Sequence, residues 1–278
     1  MNAKQIAEAK AAGGEVVHIP LVIGAVVPVY NLPGVEEPLK FTGPLLAEIF
    51  TGKIDIWNHE KLVSLNPILK DKAVKIQPVF RADASGTTFI FTDYLSKVSP
   101  EFKAEVGSST LPAWPKVGIS HEKSAGVAGY IGRTEGTIGY IELTYALDSK
   151  DKLKFGTVAN KAGKQVIADM DSITAAAAAT LDKPQTVEPY SLHELTYSLT
   201  DAEGEQSFPI AGMSFAVLYK KLDGAQAGGV KGKALVEFLK WATGPEGQEM
   251  AKKRNFAPLP ADLQKRIAER LAKVEIAD

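Results

Sequence analysis

The sequence contains no cysteine, which removes disulfide frameworks, thiolate metal sites and cysteine nucleophiles together. It also lacks an excess of either charge. Lys and Arg number 32 against 33 Asp and Glu, a formal net charge of -1, so no broad basic field draws nucleic acid or an acidic membrane surface, and neither is expected as a partner. Any anion has to be captured locally. No apolar run is long and clean enough to cross a bilayer, since Val16 to Tyr30 is interrupted by His18, Pro20, Gly24 and Pro28. Met1 to Lys10 is polar and helical in pattern, without the charged-then-apolar layout of an export signal or a small-residue cleavage site. There is no internal repeat and no low-complexity linker. A soluble chain is expected.

What is present is enough apolar residue, 45% over 278 positions, to bury one large core or two smaller ones. The opening helix should stop at Gly13-Gly14, and Glu15 to Tyr30 barely alternates, so it reads as β structure buried on both faces. Pro44, Leu45, Leu46, Ile49 and Phe50 predict a helix ended by Gly52. Lys75 to Phe80 is a short strand running into Arg81-Ala82-Asp83-Ala84-Ser85-Gly86-Thr87-Thr88, after which Phe91, Tyr94, Leu95 and Val98 repeat at helical spacing. Thr137 to Glu142 and Ser214 to Tyr219 read as strands. Ile173 to Thr180, with five consecutive alanines, reads as a helix. Leu235, Phe238, Leu239 and Ala242 predict a helix stopping at Gly244-Pro245. Leu263, Ile267, Leu271 and Val274 predict a last amphipathic helix.

The polar segment between strand and helix carries the chemistry. A tetrahedral oxyanion needs many directed donors, and a helix start supplies N–H groups with no partner inside the helix. Ser85 and Thr87 add hydroxyls, and Gly86 has no side chain to block close approach. Arg81 can present two parallel N–H groups to one anion. Asp83 would repel an anion unless paired, so it reads as a support holding Arg81 in orientation. The same residues also fit a plain helix cap at Ser85 beside a surface Arg81–Asp83 pair. Caps far outnumber anion sites, so local chemistry alone leaves that simpler reading ahead.

Other patterns are weaker. Thr51-Gly52-Lys53 lacks the first glycine of a nucleotide phosphate loop, and Ile54 stands where Ser or Thr is needed. His18, His59, His121 and His193 are scattered without metal-ligand spacing, and Asp169 with Asp171 lacks the rest of a calcium loop, so no metal site and no cofactor are expected. Trp57, Trp114 and Trp241 read as packing residues, and Lys116 and Lys123 as loop cations near Gly118. No Gly-x-Ser-x-Gly elbow is present. A phosphate-ester hydrolase with Ser85 as nucleophile would need a base that the sequence does not display.

The stretch Arg81-Ala82-Asp83-Ala84-Ser85-Gly86-Thr87, followed by Phe91-Thr92-Asp93-Tyr94-Leu95, resembles the signature of the phosphate-binding (PstS) family of bacterial phosphate ABC transporters. Ala84 replaces the usual glycine. The resemblance extends through Phe50-Thr51-Gly52-Lys53-Ile54, Ile56-Trp57-Asn58, Leu65-Asn66-Pro67, Gly126-Val127-Ala128, Gly136 to Glu142, Phe208-Pro209-Ile210 and Ala257-Pro258-Leu259-Pro260. It implies an α/β, two-lobed periplasmic-binding-protein-like fold of type II. Residues 1–24 and 211–278 would form the first lobe and residues 25–210 the second, with crossings near Ile23-Gly24-Ala25 and Ile210 to Ser214. It also implies a non-catalytic carrier that binds inorganic phosphate through Arg81, Ser85, Gly86 and Thr87, with Asp83 in support. Such a carrier delivers its ion to the membrane permease of an ABC importer, and is expected to be monomeric and periplasmic or extracytoplasmic. By the resemblance, the family's opening strand and helix units come before anything present in this sequence. The first lobe is therefore expected to be incomplete and phosphate binding weak, and apolar sheet surface near Val16 to Val27 is expected to be exposed. A non-binding family remnant is the alternative.

Overall fold

The computed structural model describes residues 3–148, 153–181, 195, 198–223 and 229–277. Helix α1 (Ala3–Gly13) leads into the long strand β1 (Val16–Tyr30), followed by β2 (Lys40–Phe41), α2 (Gly43–Phe50) and α3 (Glu60–Leu65). Next come β3 (Gln77–Arg81), α4 (Gly86–Val98), α5 (Pro100–Glu105), β4 (Ile119–His121), α6 (Lys123–Ile131) and β5 (Thr137–Glu142). Then α7 (Leu143–Asp148), β6 (Lys154–Phe155), β7 (Thr157–Ala159), β8 (Gln165–Val166) and α8 (Met170–Leu181) complete the middle of the chain. The C-terminal part holds β9 (Ala211–Tyr219), β10 (Lys221–Leu222), α9 (Gly229–Thr243), α10 (Pro245–Lys252), α11 (Ala261–Leu271) and β11 (Glu275–Ile276). The fold is mixed α/β.

The chain divides into two compact units. One comprises residues 1–23, 177–198 and 213–278, and the other residues 24–176 and 199–212. In the second unit, β4, β3, β5, β1 and β6 lie side by side in that order, with β3 parallel to both β4 and β5 and β1 antiparallel to β5. Helix α2 forms where the sequence announces it. Thr42 caps it by accepting the Leu45 N–H at 3.3 Å, and Gly52, at φ 76°, turns the chain out of it as residues with a Cβ rarely do. Under the sheet, Phe50, Phe80, Phe91, Trp114 and Tyr140 form one aromatic core. Phe80 stacks on Trp114 and Phe91 on Tyr140, each pair at 4.4 Å between ring centres. Trp57 is fully buried and donates its indole N–H to the Gly136 carbonyl.

In the first unit, Ile23 exchanges backbone hydrogen bonds with Ala257, and the Gln248 side chain donates to the Leu21 carbonyl and accepts the Leu259 N–H. These bonds tie α10 and the loop after it to β1. The burial of β1 corrects one expectation: Val16, Ile19, Ile23, Ala25, Val26 and Val27 are all buried. Val17, Leu21 and Val22 are half-buried, so the apolar run is largely covered rather than exposed. A second difference concerns short elements. Helices α3, α5, α6, α7 and α10 have six to nine residues, too few turns for a periodic pattern to stand out. At Gly244-Pro245 one helix ends and another begins, because Pro245 suits a first turn as well as it blocks an interior. Helix α11 ends at Leu271, and Glu275 and Ile276 pair in parallel with Lys221 and Leu222, leaving Val274 outside the helix.

Candidate functional site

Strand β3 delivers Arg81 to the end of the sheet, where Arg81 lies in register with His121 of parallel β4. After the turn of Ala82 to Ala84, Ser85 caps α4: its hydroxyl accepts the Thr88 N–H at 3.3 Å, while its own N–H donates to the Thr110 carbonyl at 2.9 Å. A cap of this kind satisfies the third N–H of the helix. The N–H groups of Gly86 and Thr87 remain without an acceptor inside it. A Cβ placed on Gly86 would meet nothing within 4 Å, so its backbone faces open space.

Arg81 is only 9% exposed. Its Nε and Nη2 donate to the two carboxylate oxygens of Asp83 at 2.8 and 2.5 Å, and its Nη1 donates to the Ser124 hydroxyl at 3.1 Å. A guanidinium has five N–H groups. These three contacts therefore leave one N–H on each of Nη1 and Nη2 for another acceptor. Asp83 is itself anchored, because one of its oxygens also accepts the Lys123 backbone N–H at 2.9 Å. Lys123 sits at φ 59°, an uncommon conformation for a side-chain-bearing residue, and that turn aims its N–H. The hydrogen bonds from Arg81 and then Lys123 hold the Asp83 carboxyl well below the usual carboxylate range. The same pairing raises the pKa of Arg81, with smaller contributions from Tyr140 and Glu142.

Two further side chains knit the strand end to the helix start. The Tyr140 hydroxyl accepts the Arg81 N–H at 3.3 Å and lies 2.9 Å from the Thr88 hydroxyl. Burial pushes this phenol up to about 12, so it stays protonated. The Thr87 hydroxyl donates to Glu142 at 3.2 Å. Arg81, Asp83 and Ser85 thus lie in one hydrogen-bonded network with Ser124, Tyr140, Thr88 and the Lys123 backbone, and Gly86 and Thr87 follow Ser85 in the first turn of α4, with Thr87 bonded to Glu142. Nothing in the sequence assigned those partners. Tyr140 lies 59 residues from Arg81 and Glu142 farther still, and the only signal for these two was that Thr137 to Glu142 reads as a strand.

Features read as uninvolved sit elsewhere. Thr51-Gly52-Lys53 is the C-terminal turn of α2, and Lys53 donates its N–H to the Glu48 carbonyl. Asp169 and Ser172 cap the start of α8 reciprocally. Trp241 lies exposed against Phe238. Gly118 packs against the Pro78 carbonyl. His193 falls outside the described residues. Among the described residues, no group of three His, Asp or Glu side chains could hold a metal ion.

The profile of the PBP superfamily domain matches residues 1–246. The chain belongs to that family. Within it, the chain is 40% identical over 250 residues to the phosphate-binding protein PstS of Xylella fastidiosa strain 9a5c, covering 89% of this chain and 64% of that protein. It is 38% identical over 253 residues to PstS of Haemophilus influenzae, covering 90% and 70%. Membership therefore extends to the PstS proteins of the superfamily. Among solved structures, a phosphate binding protein from Stenotrophomonas maltophilia aligns with a TM-score of 0.72 at 18% identity, over 97% of this chain and 76% of that one. The phosphate-bound periplasmic protein PfluDING aligns with a TM-score of 0.73 at 16% identity, over the same shares. These likenesses give the fold, the type II periplasmic-binding-protein-like architecture. The chain spans 64% of the length of the Xylella relative, just under two thirds.

Proposed function

We propose that this chain binds inorganic phosphate at Arg81, Ser85, Gly86 and Thr87, with Asp83 as the support of Arg81. It then serves as the solute-binding component that hands the ion to the membrane permease of an ABC importer. One observation carries the reading: a buried guanidinium, held side-on by Asp83 with N–H groups to spare, stands in one hydrogen-bonded network with a helix start whose first two N–H groups are unused. Directed donors of this kind hold a tetrahedral oxyanion without any net positive charge. Asp83 offsets the charge of Arg81, so recognition depends on geometry.

In this reading the lobe that carries this segment is the unit of residues 24–176 and 199–212, and the other lobe is the unit of residues 1–23, 177–198 and 213–278, so residues 177–198 leave the 25–210 span expected from the sequence. The reading makes the protein an extracytoplasmic monomer that binds no nucleic acid and catalyses no reaction. Among the described residues no base is hydrogen-bonded to the Ser85 hydroxyl, which instead accepts from Thr88, and this favours a carrier over a hydrolase. No described helix is long and apolar enough to cross a membrane.

Isothermal titration of the full chain with phosphate tests the site. Arg81→Ala is expected to weaken binding by at least about tenfold, the loss of a charge-assisted pair of hydrogen bonds. Lys53→Ala is expected to leave it unchanged. Equal effects of the two substitutions would place the ion somewhere else.

A further inference from the structure

We infer that Ser124 is a positioning residue for anion binding: it pins the end of the Arg81 guanidinium that Asp83 leaves free, so that the N–H groups still unspent hold one direction. The inference rests on the phosphate reading above and deepens it. Residues 81–83 are fastened one by one to the segment that enters α6. Arg81 Nη1 donates to the Ser124 hydroxyl at 3.1 Å, the Ala82 N–H donates to the His121 carbonyl at 2.9 Å, and Asp83 accepts the Lys123 N–H at 2.9 Å. Glu122, the residue before α6, gives that helix no side-chain cap, and Asp83 fills the place from the other turn. One helix start therefore carries both halves of the ion pair, the carboxylate through a backbone N–H and the guanidinium through a hydroxyl.

Asp83 alone holds only one edge of the guanidinium. It grips Nε and Nη2, and its side chain is 34% exposed, so water competes at that end of the pair. Ser124 is buried and takes the third nitrogen, which completes a three-point attachment. The two hydrogens on one guanidinium nitrogen point about 120° apart, so acceptors on them stand about 5 Å from each other. Ser124 and an oxyanion can thus share Nη1 without touching, and Ser124 acts on the ion through Arg81. Lys123, at φ 59°, holds an uncommon backbone conformation that turns its own N–H to Asp83 and sets the next residue against Arg81. Strain kept at such a position is strain that its surroundings over-determine.

The test is calorimetric titration of the full chain with phosphate, with far-UV circular dichroism to show that each variant is folded. Ser124→Ala is expected to weaken phosphate roughly fivefold, the size of one lost buried hydrogen bond to a charged group. Ser124→Thr keeps the hydroxyl and should stay within about twofold of the wild type. In an Arg81→Lys background no fork is left to direct, so adding Ser124→Ala should change the remaining affinity by less than about twofold. Ser124→Ala binding as tightly as the wild type, or Ser124→Thr binding as weakly as Ser124→Ala, overturns the inference. So does a full-size effect of Ser124→Ala in the Arg81→Lys background, which would put the hydroxyl in contact with the ion. All three results leave the phosphate site in place. Binding that Arg81→Ala leaves intact, or no binding of phosphate by the wild type, overturns the functional reading itself.

Discussion

Replacing Asp83 by alanine should destabilise the protein by about 2 kcal/mol, even though Asp83 looks in sequence like a loop residue. Truncating one partner of a fully buried ion pair costs about 3–5 kcal/mol, because the other charge is left without compensation. A fully exposed pair is worth about 0–1 kcal/mol. The pair here is mixed: the Arg81 side chain is 9% exposed and that of Asp83 is 34% exposed, so solvent screens one end and the cost falls between the limits. Urea unfolding followed by tryptophan fluorescence is a suitable assay in a Trp241→Phe background, since Trp114 stacks on Phe80, the residue before Arg81. The double variant Arg81→Ala/Asp83→Ala should lose less than the sum of the single variants, with a coupling of about 1–2 kcal/mol. Acidity supplies a second check. A carboxyl whose folded pKa is depressed contributes stability above its unfolded value, near 4, and loses it as the pH falls toward the folded value. The gap between wild type and Asp83→Asn should therefore be constant from about pH 5 to 8 and shrink below about pH 4. A gap as large at about pH 2 as at pH 7, or an Asp83→Ala variant as stable as wild type, would refute the clamp.

Two other substitutions probe the frame around the site. A Cβ on Gly118 would stand 2.1 Å from the Pro78 carbonyl oxygen, a backbone atom with no room to yield, so Gly118→Ala should cost about 3 kcal/mol or more in the same unfolding assay. Ser85→Ala removes the cap of α4 and should cost about 1 kcal/mol, with Ser85→Gly milder by several tenths. If the two Ser85 variants matched the wild type, the hydroxyl would not be capping the helix in solution.

The strand–turn–helix frame of the site was legible because its signals are local. Pro44 starts α2, Gly52 ends it, and the spacing of Phe91, Tyr94 and Leu95 marks the buried face of α4. Gly118 shows the limit of such reading. In sequence it is a loop glycine between cations, and only the approach of β3 shows why a side chain cannot stand there. The covering of β1 was likewise hidden, because it depends on Gln248 and Ala257, more than 200 residues away.

By itself the sequence determined the class of fold, the strand–turn–helix order around Arg81 to Thr87, the family, and the residue types able to face an anion. Each is a matter of local periodicity, of turn chemistry or of an ordered set of motifs along one chain. Tertiary structure alone decided how those residues are used. It turned Arg81 side-on to Asp83, fixed Asp83 on the Lys123 backbone, and brought Ser124, Tyr140 and Glu142 to the same strand end. Hydrogen-bond partners drawn from neighbouring strands and helices leave no periodic trace in the sequence, because their meeting is set by parallel pairing and core packing rather than by spacing along the chain.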